Sequence, residues 1–139
     1  MAARNSPPKV QTLRIARLRK RADFLAAARH LRRVHGAVTL EMAPTPSLAR
    51  EDATLRLGFT ASKKIGNAVA RNRAKRRLRA AAYAALPLSG RSGHDYVLVA
   101  RASVLTCGFA ALTNDLAAAL GWAHRTLDQR QAGQGSEKK

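Results

Sequence analysis

Acidic residues are scarce in this chain: eight Asp or Glu stand against 26 Lys or Arg among 139 residues. A protein that cleaves phosphodiesters by itself needs clustered carboxylates for metal ions, or a paired general acid and base. Only Glu51 and Asp52 are adjacent, and beside Pro44 and Pro46 they suit a turn better than a metal site. Asp23, Glu41, Asp95, Asp115, Asp128 and Glu137 are scattered, and His30, His35, His94 and His124 share no ligand or acid–base spacing. The sequence therefore offers no catalytic centre and no metal site of its own. Cysteine is rarer still. A lone Cys107 excludes an internal disulfide framework and a cysteine-based zinc site, leaving a small apolar residue near a helix start. No run of about 18 apolar residues exists for a membrane span. The opening MAARNSPPKV lacks the apolar stretch of a secretory signal, so a cytoplasmic, reducing location is expected.

What the chain has instead is positive charge, unevenly placed. Residues 1–80 carry 20 Lys or Arg against 4 acids, whereas residues 81–139 carry 6 against 4. Between Ala61 and Arg79 the chain reads ASKKIGNAVARNRAKRRLR, with eight cations and no acid. Solvated cationic helices usually interleave Glu or Asp at i,i+4 to offset repulsion. Here the charge must be met by counterions or by a polyanion, and counterion release favours a phosphate backbone. The segment is also patterned. Ala70, Ala74, Leu78, Ala81 and Ala85 recur at helical spacing as a narrow apolar stripe. Asn72, Lys75, Arg76 and Arg79 then cluster on the far side, with Arg73 and Arg77 on one flank and Arg71 nearer the stripe in the first turn. Asn67 is a suitable N-cap, and a helix start there would present free N–H groups to a phosphate. Lys63-Lys64 before Gly66 do not make a nucleotide loop, because G-x-x-x-x-G-K-[ST] is absent. Ser62 has neither a nucleophile elbow nor a partnered base, and reads as a strand-end hydroxyl.

Around this helix the spacing predicts one small α+β domain, helices packed on a mostly antiparallel sheet of three to four strands, in the order α-β-β-(β)-α-β-α. Residues 1–13 read as a disordered basic N-terminus, 14–130 as an RNA-binding domain and 131–139 as a disordered tail. Phe24, Ala27, Ala28 and Leu31 mark a helix over 22–32. Val38, Leu40 and Met42 share one strand face, as do Leu55, Leu57 and Phe59. The basic helix is expected over 67–85 with Pro87 ending it, and 95–100 reads as a central strand. Thr106 is placed to cap a last helix whose face is Phe109, Leu112, Leu116, Leu120, Ala123 and Leu127.

Gly58-Phe-Thr-Ala-Ser-Lys-Lys-Ile-Gly-Asn-Ala-Val-Ala-Arg-Asn-Arg-Ala-Lys-Arg-Arg-Leu-Arg79 closely resembles the signature of the bacterial ribonuclease P protein component. Leu18 to Phe24 is similar to that family's opening helix, and Asp95 to Arg101 resembles its last strand. The resemblance implies a protein subunit that binds a large catalytic RNA, which with Mg²⁺ removes the 5′ leader of precursor tRNA. It places the triplet Arg71, Asn72 and Arg73 near the RNA subunit and the substrate, and with the charge pattern of the segment the expected RNA-binding residues are Lys63, Lys64, Asn67, Arg71, Asn72, Arg73, Lys75, Arg76, Arg77 and Arg79. It also implies a left-handed β-α-β crossover, against the general rule, and a leader cleft beside the first helix, with Phe24 as a candidate contact. No protein oligomer is required.

One departure bears on that cleft. Family members often line it with several aromatics, which suit unstacked bases. Here Phe24 is kept, but Ala28 holds the next-turn position, and the first strand offers Val38, Leu40 and Glu41. Plain core packing competes as a role for Phe24 and is the better reading for Phe59. A ribosomal or RNA-chaperone-type protein without a role in cleavage would share the basic face. A DNA-binding protein is disfavoured because no helix-turn-helix spacing is present.

Overall fold

Val38, Leu40 and Met42 alternate with Thr39, Glu41 and Ala43 along one strand, and all six are buried. A strand buried on both sides must belong to a sheet covered on both faces. The computed structural model describes residues 13–137, with side chains described to residue 132. Its elements are β1 (Arg14–Arg17), α1 (Arg21–His30), β2 (Leu31–His35), β3 (Val38–Pro44), β4 (Thr54–Thr60), α2 (Ala68–Ser89), β5 (His94–Ala100) and α3 (Phe109–Glu137). Short 3-10 turns lie at Ser47–Ala49, Lys63–Ile65 and Ala102–Leu105. The sheet runs β1-β4-β5-β3-β2.

The α+β class is as the sequence suggested, but the sheet has five strands rather than three or four. The pairings are mixed rather than mostly antiparallel: β1–β4 and β4–β5 are parallel, and β5–β3 and β3–β2 antiparallel. The two unforeseen strands, RIAR and LRRVH, are short, Arg-rich and at the sheet edges, where alternation is weak. The first helix consequently ends at His30 rather than near 32, and Leu31 turns directly into β2 without a glycine.

On one face α2 and α3 cover Leu40, Met42, Leu55, Leu57, Tyr96 and Leu98, the main core. The stripe Ala74, Leu78 and Ala81 docks there as its spacing required. Of the expected α3 face, Leu112, Leu116, Leu120, Ala123 and Leu127 are buried, but Phe109 is 46% exposed. It is the first helical residue, ahead of the first buried turn. Thr106 does not cap α3; its hydroxyl donates 3.5 Å to the Ser103 carbonyl within the preceding turn. Pro87 does not end α2 either. The helix continues to Ser89, the Gly90 N–H closes it on the Leu86 carbonyl at 2.8 Å, and the Pro87 carbonyl accepts the Leu13 N–H at 2.9 Å. The N-terminal segment expected over 1–13 lies outside the described residues save Leu13, and α3 is helical through Glu137.

Among the described residues the opposite face is covered by α1 alone, over the small cluster of Leu18, Ala27, Ala43 and Val97. Polar contacts supplement it. Arg56 on β4 donates to both oxygens of buried Asp95 at 2.7 and 2.6 Å and lies 3.2 Å from Asp23 on α1. The Thr45 hydroxyl donates to the same Asp95 at 2.7 Å. Asp23, in the first turn of α1, thus ties that helix ionically to the sheet.

A second network ties α3 to β5. The buried Tyr96 hydroxyl accepts the Arg91 N–H at 2.8 Å and lies 2.9 Å from His124 Nε2. With the hydroxyl donating to Nε2 the imidazole is a neutral acceptor, the form its burial favours. Burial, with nearby Arg91, lowers the His124 pKa to about 4 from 6.5. A histidine depressed in the folded state contributes stability above its unfolded pKa, and that stability is lost as pH falls through the folded one. The melting temperature is therefore expected to drop between pH 6.5 and 4, and to drop less in His124→Gln, which keeps an acceptor that does not titrate. Parallel profiles for the two proteins would remove His124 from the acid response.

Candidate nucleic-acid interface

The backbone before α2 is shaped by its own side chains. Ser62 Oγ accepts the Lys64 N–H at 3.3 Å, and Asn67 Oδ1 accepts the Ala70 N–H at 2.9 Å as the N-cap. Gly66 between them has φ 145°, a conformation that a side chain would strain. This turn leaves Lys63 and Lys64 exposed beside the helix start, and Arg71 reaches back to the Gly66 carbonyl at 3.2 Å. Asn67 spends its side-chain oxygen on the cap, which leaves the amide NH₂ for other contacts.

Along α2 the expected clustering is present: Asn72, Lys75, Arg76 and Arg79 line one hollow with Val69. Arg73 is exposed on the flank. Arg77, placed on a flank by the spacing, donates from Nη1 to the Val104 carbonyl at 2.7 Å and holds the 3-10 turn before α3. Among the described residues, salt bridges engage Arg32, Arg56 and Arg91, and none uses a cation of residues 63–79. The face is left with uncompensated charge.

Next to that hollow, a cleft of about 380 Å³ opens where β4 outruns β1. The pairing of β1 ends at Arg17 opposite Leu57, with one further bond from the Leu18 N–H to the Leu57 carbonyl at 2.9 Å. Residues Gly58 to Thr60 have no β1 neighbour. The walls include Phe24 from α1, Arg17 from β1, and Lys75, Arg79 and Tyr83 from α2. Phe24 is half-buried, its ring lying over Gly58 so closely that a Cβ there would clash, so it both packs and faces the cleft. Phe59 packs against the main core as expected, while its partly exposed ring has the Arg79 guanidinium 5.4 Å from its centroid. Val38 and Leu40 are corrected outright: both are in the core beneath α3 and cannot line this cleft. Glu41 lies on the α1 side of the sheet, 3.2 Å from Arg32, its pKa raised by burial against the pull of that arginine. Tyr83, 52% exposed, escaped the sequence reading. Its signal was the run Lys75, Arg79, Tyr83 at steps of four on one helical ridge.

A cationic helix without carboxylate partners, set beside an open cleft with aromatic walls, defines an RNA-binding protein. Among the described residues no group of three His, Cys, Asp or Glu could hold a metal ion. A family profile described as Ribonuclease P matches residues 13–124. The chain is 51% identical over 109 residues to the ribonuclease P protein component of Caulobacter vibrioides, covering 78% of this chain and 71% of that one. It is 50% identical over 111 residues to that of Ruegeria pomeroyi, covering 79% and 87%. The structure of Staphylococcus aureus RNase P protein superimposes with a TM-score of 0.61 at 26% identity, covering 77% of this chain and 94% of that one. The RNase P protein from Thermotoga maritima, 23% identical with a TM-score of 0.61 over 75% and 94% of the two chains, shares the fold. The chain belongs to the ribonuclease P protein family. It is accordingly a subunit of an endoribonuclease of tRNA processing that works with an RNA subunit. No helix among the described residues is long and apolar enough to cross a membrane.

Proposed function

We propose that this protein binds the catalytic RNA subunit through its exposed cations and receives the 5′ leader of precursor tRNA in the cleft between α1 and α2. The observation that carries this reading is the shared boundary of the two surfaces. Lys75 and Arg79 line both the outward hollow and the cleft that Phe24 closes. The outward cations neutralise phosphates, which positions the RNA without reading its sequence. The cleft, narrow and partly aromatic, suits an unpaired strand rather than a duplex. Mg²⁺ belongs to the RNA-containing holoenzyme, where it would supply the activated water and stabilise the leaving oxygen. The protein's own part is to hold the leader and to screen phosphate repulsion, acting in the cytoplasm as one protein copy without a protein oligomer.

The test is 5′ cleavage of precursor tRNA in Mg²⁺ with protein alone, RNA subunit alone and both. No cleavage is expected from the protein alone, and the combination should bind leader-bearing tRNA more tightly than mature tRNA. Accurate cleavage by rigorously RNA-free protein, or equal affinity for the two tRNAs, would refute the reading.

A further inference from the structure

Tyr83 is a large half-apolar side chain left 52% exposed on α2, in the wall of the same cleft as Phe24, Lys75 and Arg79. No hydrogen bond of its hydroxyl is present among the described residues, and about half of the side chain stays open to solvent. Packing therefore accounts for only part of the ring. At 1.5 Å per residue it lies roughly 12 Å beyond Lys75 and roughly 6 Å beyond Arg79 along the helix axis. The same cleft is lined by Gly58, which has no β1 neighbour and lies beneath the Phe24 ring, while the exposed half of the Tyr83 side chain borders the opening.

We propose that Tyr83 is a stacking platform for one unpaired base of the RNA strand in this cleft, a specificity-determining contact at the end away from the α2 N-terminus. This rests on the leader-binding reading above. An aromatic ring next to two cations is the combination that single-strand binders use, with cations following the phosphates and the ring taking a base face. Phe24 on α1 is largely committed to Gly58, whereas Tyr83 has a free face. The ridge Lys75, Arg79, Tyr83 thus gives the strand two phosphate partners and then a terminal stack.

The experiment uses holoenzyme reconstituted with its RNA subunit, precursor tRNA with leaders shortened nucleotide by nucleotide, and mature tRNA. Tyr83→Ala and Tyr83→Leu are each expected to weaken binding of the full-leader substrate roughly 5- to 150-fold. Tyr83→Phe should retain the affinity, since the ring and not the hydroxyl does the binding. Mature tRNA should bind all variants alike, and the loss should vanish once the leader is too short to reach the ring. A fluorescent base analogue moved along the leader should be quenched at one position by the wild type and by Tyr83→Phe, but not by Tyr83→Leu. Wild-type affinity in Tyr83→Ala at every leader length would overturn the proposal, as would an equal loss on mature tRNA. A leader preference that survives every Tyr83 change sinks this inference alone. If the wild-type holoenzyme shows no leader preference, the leader-binding reading itself falls and takes this one with it. Should Tyr83→Ala melt at lower temperature, Tyr83→Leu against Tyr83→Phe still isolates the π face at near-constant apolar volume.

Discussion

Replacing Arg56 by methionine is expected to lower the free energy of unfolding by about 3–5 kcal/mol, the range for breaking a buried ion pair by removing one partner. The Arg56 side chain is 16% exposed, and its partners Asp23 and Asp95 are 14% and 3% exposed. The loss comes from stranding two carboxylates rather than from forfeiting attraction. Hydrogen bonds to Asp95 are also the main cause holding the Arg56 guanidinium charged against burial. Adding Asp95→Asn to the methionine variant should therefore recover part of the stability, because an amide costs less to bury than an unpaired carboxylate. Urea denaturation of the wild type, both single variants and the double variant measures this. A loss below about 1 kcal/mol for Arg56→Met would show that the cluster is solvated and that α1 is held by its apolar contacts alone.

Neutralising Lys75, Arg76 and Arg79 together as glutamines should weaken binding to the RNA subunit about a hundredfold near physiological salt. The plot of log affinity against log salt should become shallower by about 2–3, the counterions no longer released by three phosphate contacts. Arg77→Gln is the control. Because its guanidinium is engaged with the Val104 carbonyl, it should cost some stability and leave the slope unchanged. A triple variant with wild-type slope and intact folding would mean the face is merely solvated, and a changed slope in Arg77→Gln would return that residue to the interface.

The basic helix was legible because three signals agreed: an N-cap at Asn67, a small-residue stripe, and cations confined to the other side. The strand at 38–44 was legible from the alternation of Val38, Leu40 and Met42 with Thr39 and Glu41, and the one at 94–100 from its near-continuous apolar run, as befits a central strand. The edge strands were not. Four or five residues with two arginines each give no period to read, and their pairing is decided by partners far away in sequence. Pro87 misled because local chemistry says stop. Tertiary contact overrides it, with Leu13 taking the proline's carbonyl and Gly90 passing close against Leu55. In the site, local spacing named the outward residues correctly but could not see that Arg77 is diverted by a turn 27 positions on. Nor could it see that Val38 and Leu40 face away from the cleft, since alternation defines two faces without saying which element covers either.

The pairing of β1 has a consequence for the order in which the molecule is made. Residues 14–17 leave the ribosome ahead of the rest of the sheet, yet their partners are residues 54–57, and the Leu13 N–H is satisfied by residue 87. Such distant partners impose loop closure before any reward, so the earliest-synthesised strand joins the sheet late. Because Ala16, Arg17 and Leu18 form one wall of the cleft, a nascent chain has no cleft until most of α2 has emerged. An RNA strand held in the finished cleft, as proposed above, would bind the docked form of β1 and so stabilise the attachment of that strand by mass action. Protection of residues 14–18 from hydrogen exchange is thereby linked to occupancy of a groove bounded by a helix more than fifty residues later in the chain.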